Sequence, residues 1–304
     1  MMKYLFQIIL LSILLSMSFQ AVSKKNSMVV EYNLDGKLIT VKGEKTTQGY
    51  RFNAQSKNII HMATLNWPPY ISEELCNKGW VFQYTVALLA YQGYQVNIHF
   101  YPWARSVKLV ETGHMDILFP EYFIEDSAPS DTVKGKKRSE LLMLSNEFPG
   151  GEVALLKRKG ELFNFKGNLD MLKGELIGVV RGYQNTPEFD TMMDNKQFNV
   201  INAVDELQLM RLLYAKRVKV MVGDPKVFRF SVEHSTLPLI MKNKLLDGIE
   251  VVKPSLKYND LYFAISNKSP KWKTIINDIN VALAKFKQSG ETQRFKNISS
   301  RCNN

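Results

Sequence analysis

Two aromatic side chains, Trp67 and Tyr70, flank a pair of prolines and have the chemistry to bind a ligand. They close the stretch Ile59–Tyr70, IIHMATLNWPPY, in which an apolar run leads into a polar residue, an aromatic, two prolines and a second aromatic. Flat aromatic faces stack on ligands, and they also pack the edges of domains. The pattern alone therefore leaves two interpretations open, a ligand-stacking pair and a domain-edge pair.

The run before these aromatics predicts where they lie. Ile59–Leu65 has the length and apolar character of a buried strand. Pro68 and Pro69 end it, because they lack the N–H that a sheet requires. Asn66–Tyr70 is therefore predicted to form a stiff turn at the carboxyl end of a strand. Small ligands bind at that end of open α/β sheets, so a cleft beside the two rings is expected.

The cysteines and histidines offer little further chemistry. Cys76 and Cys302 lie in no C-x-x-C or metal-binding spacing, and in an oxidising compartment an even pair favours a disulfide. No two histidines have ligand spacing on one helix face, so no metal site is predicted. Motifs such as G-x-S-x-G or a Gly-rich phosphate loop do not occur, and no cofactor is expected. The histidines are His61, His99, His114 and His234.

The N-terminus has the pattern of an export signal, predicted at residues 1–23. Lys3 is followed by the apolar run Leu5–Met17 and then by Ala21-Val22-Ser23, a small-x-small cleavage site. The run is too short to span a bilayer comfortably, and no cysteine lies near the cleavage site to carry a lipid. We expect cleavage after Ser23 and release of a free, exported protein into the periplasm.

Length and composition favour a soluble protein of more than one lobe. The chain has 304 residues, of which 45% are hydrophobic, and this size is typical of two α/β lobes. The formal net charge is +11, but lysines are spread along the chain, with only brief runs such as Lys134–Arg138 and Lys157–Lys159. Neither a zinc-finger spacing nor an arginine-rich arm is present, so the charge indicates a basic surface rather than nucleic-acid binding.

The order of predicted elements indicates two α/β units. Residues 24–58 are polar, with two alternating pieces that fit a hairpin in an N-terminal extension of no evident function. A β-α-β-α-β pattern follows and argues for a mainly parallel sheet. A turn at Pro149–Gly151 is predicted to lead into the second unit, after which a strand and a long helix return. The predicted strands are Ser27–Tyr32, Lys37–Lys42, Tyr94–Tyr101, Met115–Pro120, Glu140–Ser145, Glu152–Lys157, Leu176–Val180, Phe198–Ile201, Val218–Val222 and Leu261–Ser266, and the predicted helices are Gly79–Gln92, Pro102–Thr112, Thr186–Asp194, Asp205–Ala215 and Pro270–Gln288.

With these elements in order, the chain resembles the bacterial extracellular solute-binding proteins of family 3, the polar amino-acid-binding type of periplasmic binding protein. The resemblance covers Ile59–Ser300. It implies a type II fold of two lobes, each a mainly parallel sheet flanked by helices, joined by two hinge crossings. Lobe 1 would be residues 59–155, lobe 2 residues 156–255, and residues 256–304 would return to lobe 1 with the C-terminal helix. The motifs that carry it are NWPPY, YPWARSVKLVETGHMDILFP, RSELLMLSNEFPGG, LKGELIGVVRGY and VMVGD.

The resemblance also implies roles for two charged residues. Arg138, six residues before Leu144, resembles the arginine that holds the ligand's α-carboxylate, and a guanidinium grips a carboxylate through two parallel hydrogen bonds. The alternative interpretation is that Arg138 is one more solvent-exposed cation in the basic stretch KGKKRSE. Asp224, at a strand end, resembles the acid for the ligand's α-ammonium, and its alternative is a cap on the turn before Pro225. The returning C-terminal helix would bring Cys302 near the Trp67–Trp80 segment.

The chain departs from the family pattern at two places. Pro120-Glu121-Tyr122 stands where the family often has small hydroxyl residues, and Glu121 puts an acid near the ligand. Tyr183 follows Gly182 where many members have Thr. These departures leave open that the ligand is bulkier or cationic, or that it is not an amino acid.

Trp103 and Arg105 of the PWAR motif have two interpretations. Both could line the cleft at a helix start, or Trp103 could belong to the core and Arg105 to the surface. The core interpretation is favoured for Trp103.

The leading functional hypothesis is capture of a small polar solute in the periplasm and its delivery to an inner-membrane ABC permease, by a protein that we expect to be a monomer and not an enzyme. Trp67 would stack on the ligand, as the resemblance implies. One alternative is an enzyme on the same fold, similar to the cyclohexadienyl dehydratases, with Glu121 as general acid if burial raises its pKa. A third hypothesis is a ligand-sensing subunit that docks on a membrane receptor.

Overall fold

The computed structural model describes residues 27–298. The predicted signal peptide and Cys302 lie outside these residues, so both remain predictions. Within the described range, no helix is long and apolar enough to cross a membrane.

A three-stranded antiparallel meander forms one edge of the structure. It consists of β1 (Ser27–Leu34), β2 (Lys37–Thr46) and β3 (Gly49–Phe52). Asp35 and Gly36 connect the first two strands, and both have positive φ (51° and 75°), as a type I′ hairpin turn requires. The predicted hairpin is confirmed, and a third strand is added to it.

The centre of the first lobe is parallel, as the β-α-β-α-β pattern predicts. β4 (Ile59–Thr64) pairs in parallel with β5 (Gln95–Phe100) and with β6 (Ile117–Glu121). Helices α1 (Trp80–Tyr91) and α2 (Trp103–Glu111) make the crossovers. β3 joins the meander to β5. Because the three central strands run in one direction, their carboxyl ends meet at one edge of the sheet.

The second lobe has its own parallel centre. A short 3₁₀ turn at Arg138–Glu140 and β7 (Leu142–Leu144) lead into the long strand β8 (Phe148–Arg158). The further strands are β9 (Leu176–Val180), β10 (Asn199–Ala203), β11 (Val220–Gly223) and β12 (Ile249–Val251), and the helices are α3 (Pro187–Asp194), α4 (Glu206–Tyr214), α5 (Pro225–Glu233) and α6 (Leu239–Asp247). β9 pairs in parallel with β10 and with β11, while β8 pairs antiparallel with β11 and β12.

Two long strands run through both lobes. β13 (Lys257–Ser266) pairs at its start with the start of β8, and at its end with β6 and β7. The other end of β8 belongs to the second lobe. Their antiparallel pairing therefore makes the junction between the lobes, and the boundaries predicted after residues 155 and 255 fall within β8 and shortly before β13. These boundaries remain a prediction.

The chain returns to the first lobe through α7 (Trp272–Gln288) and α8 (Glu291–Lys296). The rings of Tyr84 on α1 and Phe295 on α8 lie 5.6 Å apart. Glu291 and Arg294 bond the backbone of β1, at the Asn33 N–H (2.9 Å) and the Glu31 carbonyl (2.7 Å). The C-terminal helix thus covers part of the exposed sheet edge, which would otherwise offer unpaired backbone groups.

Two features of the sequence interpretation are corrected. Pro149–Gly151 is not a turn, because it lies inside β8, where the Gly150 and Gly151 positions leave no room for a side chain against neighbouring groups. Helices α5 and α6 were not predicted. α5 nevertheless carries a local start signal, since Asp224 caps it and Pro225 occupies its first turn.

Candidate functional site

The aromatic and proline turn lies at the carboxyl end of β4, as predicted. Trp67 and Ile71 pair through their backbones, with N···O distances of 2.6 and 3.1 Å. The turn stacks the Trp67 ring on the Tyr70 ring with centroids 4.4 Å apart. The edge of Tyr122, which follows β6, approaches Trp67 at 5.7 Å. All three side chains are buried, so the two strand ends form one aromatic surface.

A hydrogen bond joins this surface to the second lobe. The Tyr70 hydroxyl donates to Oδ2 of Asp224 at 2.6 Å, while Oδ1 accepts the Lys226 N–H and caps α5. Burial raises the pKa of Asp224 above its usual range. Burial and the neighbouring carboxylate raise the pKa of Tyr70, so the hydroxyl stays a donor. Gly151 lies directly against this pair, where any Cβ would collide with both oxygens.

Arg138 is buried between two carboxylates and a backbone carbonyl. Its Nη2 donates to Oε2 of Glu121 at 3.0 Å, and its Nε lies 3.6 Å from Oε1 of Glu111. Nη1 donates to the carbonyl of Gly182 in the second lobe at 3.1 Å. The side chain is only 4% exposed. Burial raises the pKa of Glu121 to about 7, although Arg138 opposes this shift.

A third set of contacts lies at the end of β9. The Tyr183 hydroxyl donates to Oε1 of Glu206 at 2.8 Å, and the Trp67 indole lies near enough to Glu206 to lower the pKa of its carboxyl slightly. The Trp103 indole N–H donates to the Gly182 carbonyl at 2.9 Å. Burial raises the pKa of Glu206 to about 7, so its charge is sensitive to its surroundings near neutral pH.

These contacts surround a small cavity between the lobes, with a volume of about 20 Å³, enough for about one water molecule. Aromatic rings and one carboxylate dominate its wall. Two polar atoms in the wall, the hydroxyl of Tyr122 and Oε1 of Gln184, have no hydrogen-bond partner among the described residues, and each residue is 7% exposed. The lining residues are Leu65, Trp67, Trp103, Pro120, Glu121, Tyr122, Tyr183, Gln184 and Leu261.

The structure brings most of the candidates from the sequence to this junction. One candidate lies elsewhere: Arg105 is exposed and stacks on the Tyr101 ring at 4.6 Å. Trp103 was predicted either to belong to the core or to line the cleft, and it does both: its side chain is buried in the core and also lines the cavity. The candidates at the junction are Trp67, Tyr70, Glu121, Arg138, Tyr183 and Asp224.

Sequence reasoning missed Glu111, Gln184 and Glu206. The signal for Gln184 and Glu206 was available, since both follow the carboxyl ends of parallel strands, β9 and β10, where ligands bind. Glu111 gave no such signal. It lies in the last turn of α2 and reaches Arg138 only through the tertiary fold.

Solved structures with the same architecture include a histidine kinase sensor domain described as similar to periplasmic binding proteins. It has a TM-score of 0.61 and 14% identity, over 80% of this chain and 96% of its own. An ancestral arginine-binding protein bound to arginine has a TM-score of 0.59 and 16% identity, over 79% of this chain and 97% of its own.

This chain has the two-lobed fold of the periplasmic binding proteins. A third structure with this fold, an arginine transport system periplasmic binding protein from Legionella pneumophila, has a TM-score of 0.59 and 14% identity, over 79% of this chain and 98% of its own. No family model and no curated protein matches the sequence. The periplasmic-binding-protein fold is thus established by structure and not by sequence similarity.

Proposed function

We propose that this protein is a periplasmic solute-binding protein that captures a small polar solute, an amino acid or a related compound, between its lobes. The observation that carries the proposal is the cavity at the lobe junction, whose wall contains the unpartnered polar atoms of Tyr122 and Gln184. Buried polar groups usually have partners, and a bound solute would supply them. One structure with the same fold is an ancestral arginine-binding protein bound to arginine, which supports an amino acid or a related compound as the solute.

The lobes would close on the solute as a hinged clamp. Hydrogen bonds from Tyr70 to Asp224, from Trp103 to Gly182 and from Arg138 to Gly182 cross the junction, and they form only when the lobes meet. β8 and β13 provide the two hinge strands. Closure about such strands would bury the solute against the aromatic rings and exclude water.

Two partners fit a protein of this kind. The first is an inner-membrane ABC permease, to which the loaded protein would deliver the solute. The second is a membrane receptor, since one structure with the same fold is a histidine kinase sensor domain. Co-purification of the solute-loaded protein with the membrane partner encoded beside its gene would decide between them.

An enzymatic role is less well supported by the site. Glu121 was the candidate general acid, but Oε1 accepts the Tyr122 N–H at 2.8 Å and Oε2 accepts from Arg138. Both oxygens are therefore engaged, although the pKa of about 7 suits proton transfer. Turnover of prephenate or arogenate by the purified protein would contradict a purely binding role.

A screen of the purified mature chain tests the proposal. Native mass spectrometry and thermal shift would be recorded with the standard amino acids, with polyamines and with small organic acids. We expect a one-to-one complex with at least one compound and a higher melting temperature, because a ligand that binds only the folded state stabilises it. The proposal fails if none of these compounds binds or shifts the transition.

A further inference from the structure

The buried guanidinium of Arg138 is already paired with acidic side chains of the protein itself. Its guanidinium faces Glu121 at 3.0 Å and Glu111 at 3.6 Å, and the remaining Nη1 donates to a carbonyl. The exposed fractions of these carboxylate side chains are 2% and 0%. A ligand carboxylate placed here would compete with two buried carboxyl groups for one guanidinium, and an ionised carboxylate beside it would repel it strongly in a poorly hydrated site.

The cavity offers hydrogen-bond acceptors and aromatic faces instead. Oε1 of Gln184 can only accept, and the Tyr122 hydroxyl can accept through its lone pairs. Trp67, Trp103 and Tyr183 present rings to the same space. Aromatic faces attract cations, so this wall suits a positively charged group that carries N–H donors.

The approach to the cavity is acidic on one side. An open cleft of about 290 Å³ shares Leu65, Trp103 and Tyr183 with the cavity wall. Its acidic residues are Glu73, Asp205 and Glu206. No group of three His, Cys, Asp or Glu among residues 27–298 is arranged to hold a metal ion, so these acids do not form a metal site. A cleft lined by one sign of charge attracts ligands of the opposite sign.

We propose that the cleft binds an organic cation, an amine or a guanidine, through its N–H groups, and that the ligand needs no carboxylate. This inference rests on the proposed solute-binding function and names the class of solute. The cation would lie among the rings with its donors on Gln184 and Tyr122, and Glu206 would offset its charge from the acidic side. Arg138 then fixes Glu121 and the lobe junction, and does not contact the ligand.

A zwitterionic amino acid is the competing ligand. Its carboxylate would have to lie in the opposite cleft, of about 240 Å³, which Lys108, Arg138 and Arg181 line together with Asp131. Arginine and agmatine separate the two cases, because agmatine is arginine without its carboxylate.

Isothermal titration of the mature chain with agmatine, arginine, glutamine and glutamate tests the inference. We expect agmatine to bind with a Kd equal to or below that of arginine, and glutamate not to bind. A higher Kd for agmatine than for arginine, or binding of glutamine or glutamate in place of the cations, overturns this inference and leaves the proposed function standing. A wider screen in which nothing binds overturns the proposed function as well.

Glu206→Gln tests the site assigned to the cation. The amide can still accept from Tyr183 but carries no charge. The matched control is Glu188→Gln, which changes an exposed glutamate in the first turn of α3, as Glu206 lies in the first turn of α4. We expect agmatine to bind Glu206→Gln at least tenfold more weakly than the parent, and Glu188→Gln within twofold. Unchanged binding by a folded Glu206→Gln, as judged by circular dichroism, overturns the assignment.

Discussion

Arg138 illustrates how the surroundings of one residue decide its role. It lies in the basic stretch KGKKRSE, where Lys136 and Lys137 are exposed. Arg138 itself is buried, because its N–H bonds the Ala128 carbonyl and the 3₁₀ turn directs its side chain at Glu111 and Glu121. The interpretation as a solvated cation is therefore wrong. Its contact with a ligand carboxylate stays a prediction, and the ion pairs argue for a positioning role at the lobe junction.

Tyr70→Phe should weaken the closed form of the lobes. The change removes the hydroxyl that donates to Asp224 at 2.6 Å and leaves a buried carboxylate oxygen without that donor. We expect a loss of about 1–3 kcal/mol in the free energy of unfolding, measured by urea denaturation. Tyr214→Phe, on an exposed ring of α4, serves as the control. Equal stability of the two variants would contradict the importance of this contact.

Glu206 should make stability depend on pH. Its pKa is raised from 4.5 to about 7, so the folded protein binds this proton more tightly than the unfolded chain does. The stabilisation is fully present below pH 4.5 and is lost as pH rises through 7. The groups that face Glu206 are the Tyr183 hydroxyl, the Trp67 indole and the Asp205 carboxylate.

The measurement is the melting temperature of Glu206→Gln minus that of the parent, followed from pH 5 to pH 8. We expect this difference to rise with pH, because only the parent loses stability as Glu206 ionises. Glu188→Gln should follow the parent at every pH. Parallel curves for the parent and Glu206→Gln would mean that Glu206 titrates normally in the folded protein.

At the scale of elements, the N-terminal meander is part of the first lobe and not an appendage. β3 pairs with β5, and Phe52 is fully buried against Phe82, with ring centroids 5.6 Å apart. Tyr32 on β1 contacts Phe286 on α7 at 5.3 Å. The sequence showed only alternating polar pieces here, and their role became visible once the partner strand β5 was in place.

Phe52→Ala should therefore destabilise the whole first lobe. Truncation of a fully buried aromatic costs about 3–5 kcal/mol, and we expect this loss in the free energy of unfolding by urea. Leu38→Ala on β2 is the control, since Leu38 is 61% exposed and should change stability by less than about 0.5 kcal/mol. Similar values for both variants would show that the meander is only loosely attached.

At the scale of the molecule, the two lobes are linked by the strand pair β8 and β13 and by hydrogen bonds across the cleft. The C-terminal helices α7 and α8 pack on the outer face of the first lobe. Thr292 on α8 bonds Tyr84 on α1 at 2.8 Å, and α1 begins shortly after Cys76. α8 thus packs on the helix that begins shortly after Cys76.

Cys76 and Cys302 are predicted to form a disulfide that ties the C-terminal tail to the first lobe. In the chain-entropy model a loop of this length stabilises by roughly 5–5.5 kcal/mol, an upper figure because strain commonly reduces it. Thiol labelling of denatured, unreduced mature protein should detect no free thiol. Two labelled thiols per chain would contradict the prediction, and Cys302→Ser should then leave the melting temperature unchanged.

The sequence by itself determined the α/β class, the order of most strands and helices, and the aromatic turn at the end of β4. These follow from local properties: apolar periodicity, proline's missing N–H and glycine at helix ends. The tertiary structure alone decided which strand ends meet, and so gathered Tyr70, Arg138, Tyr183 and Asp224 from distant segments. It also paired Arg138 with Glu111 and placed the PGG segment inside a strand, because burial and pairing depend on neighbours that are remote in sequence.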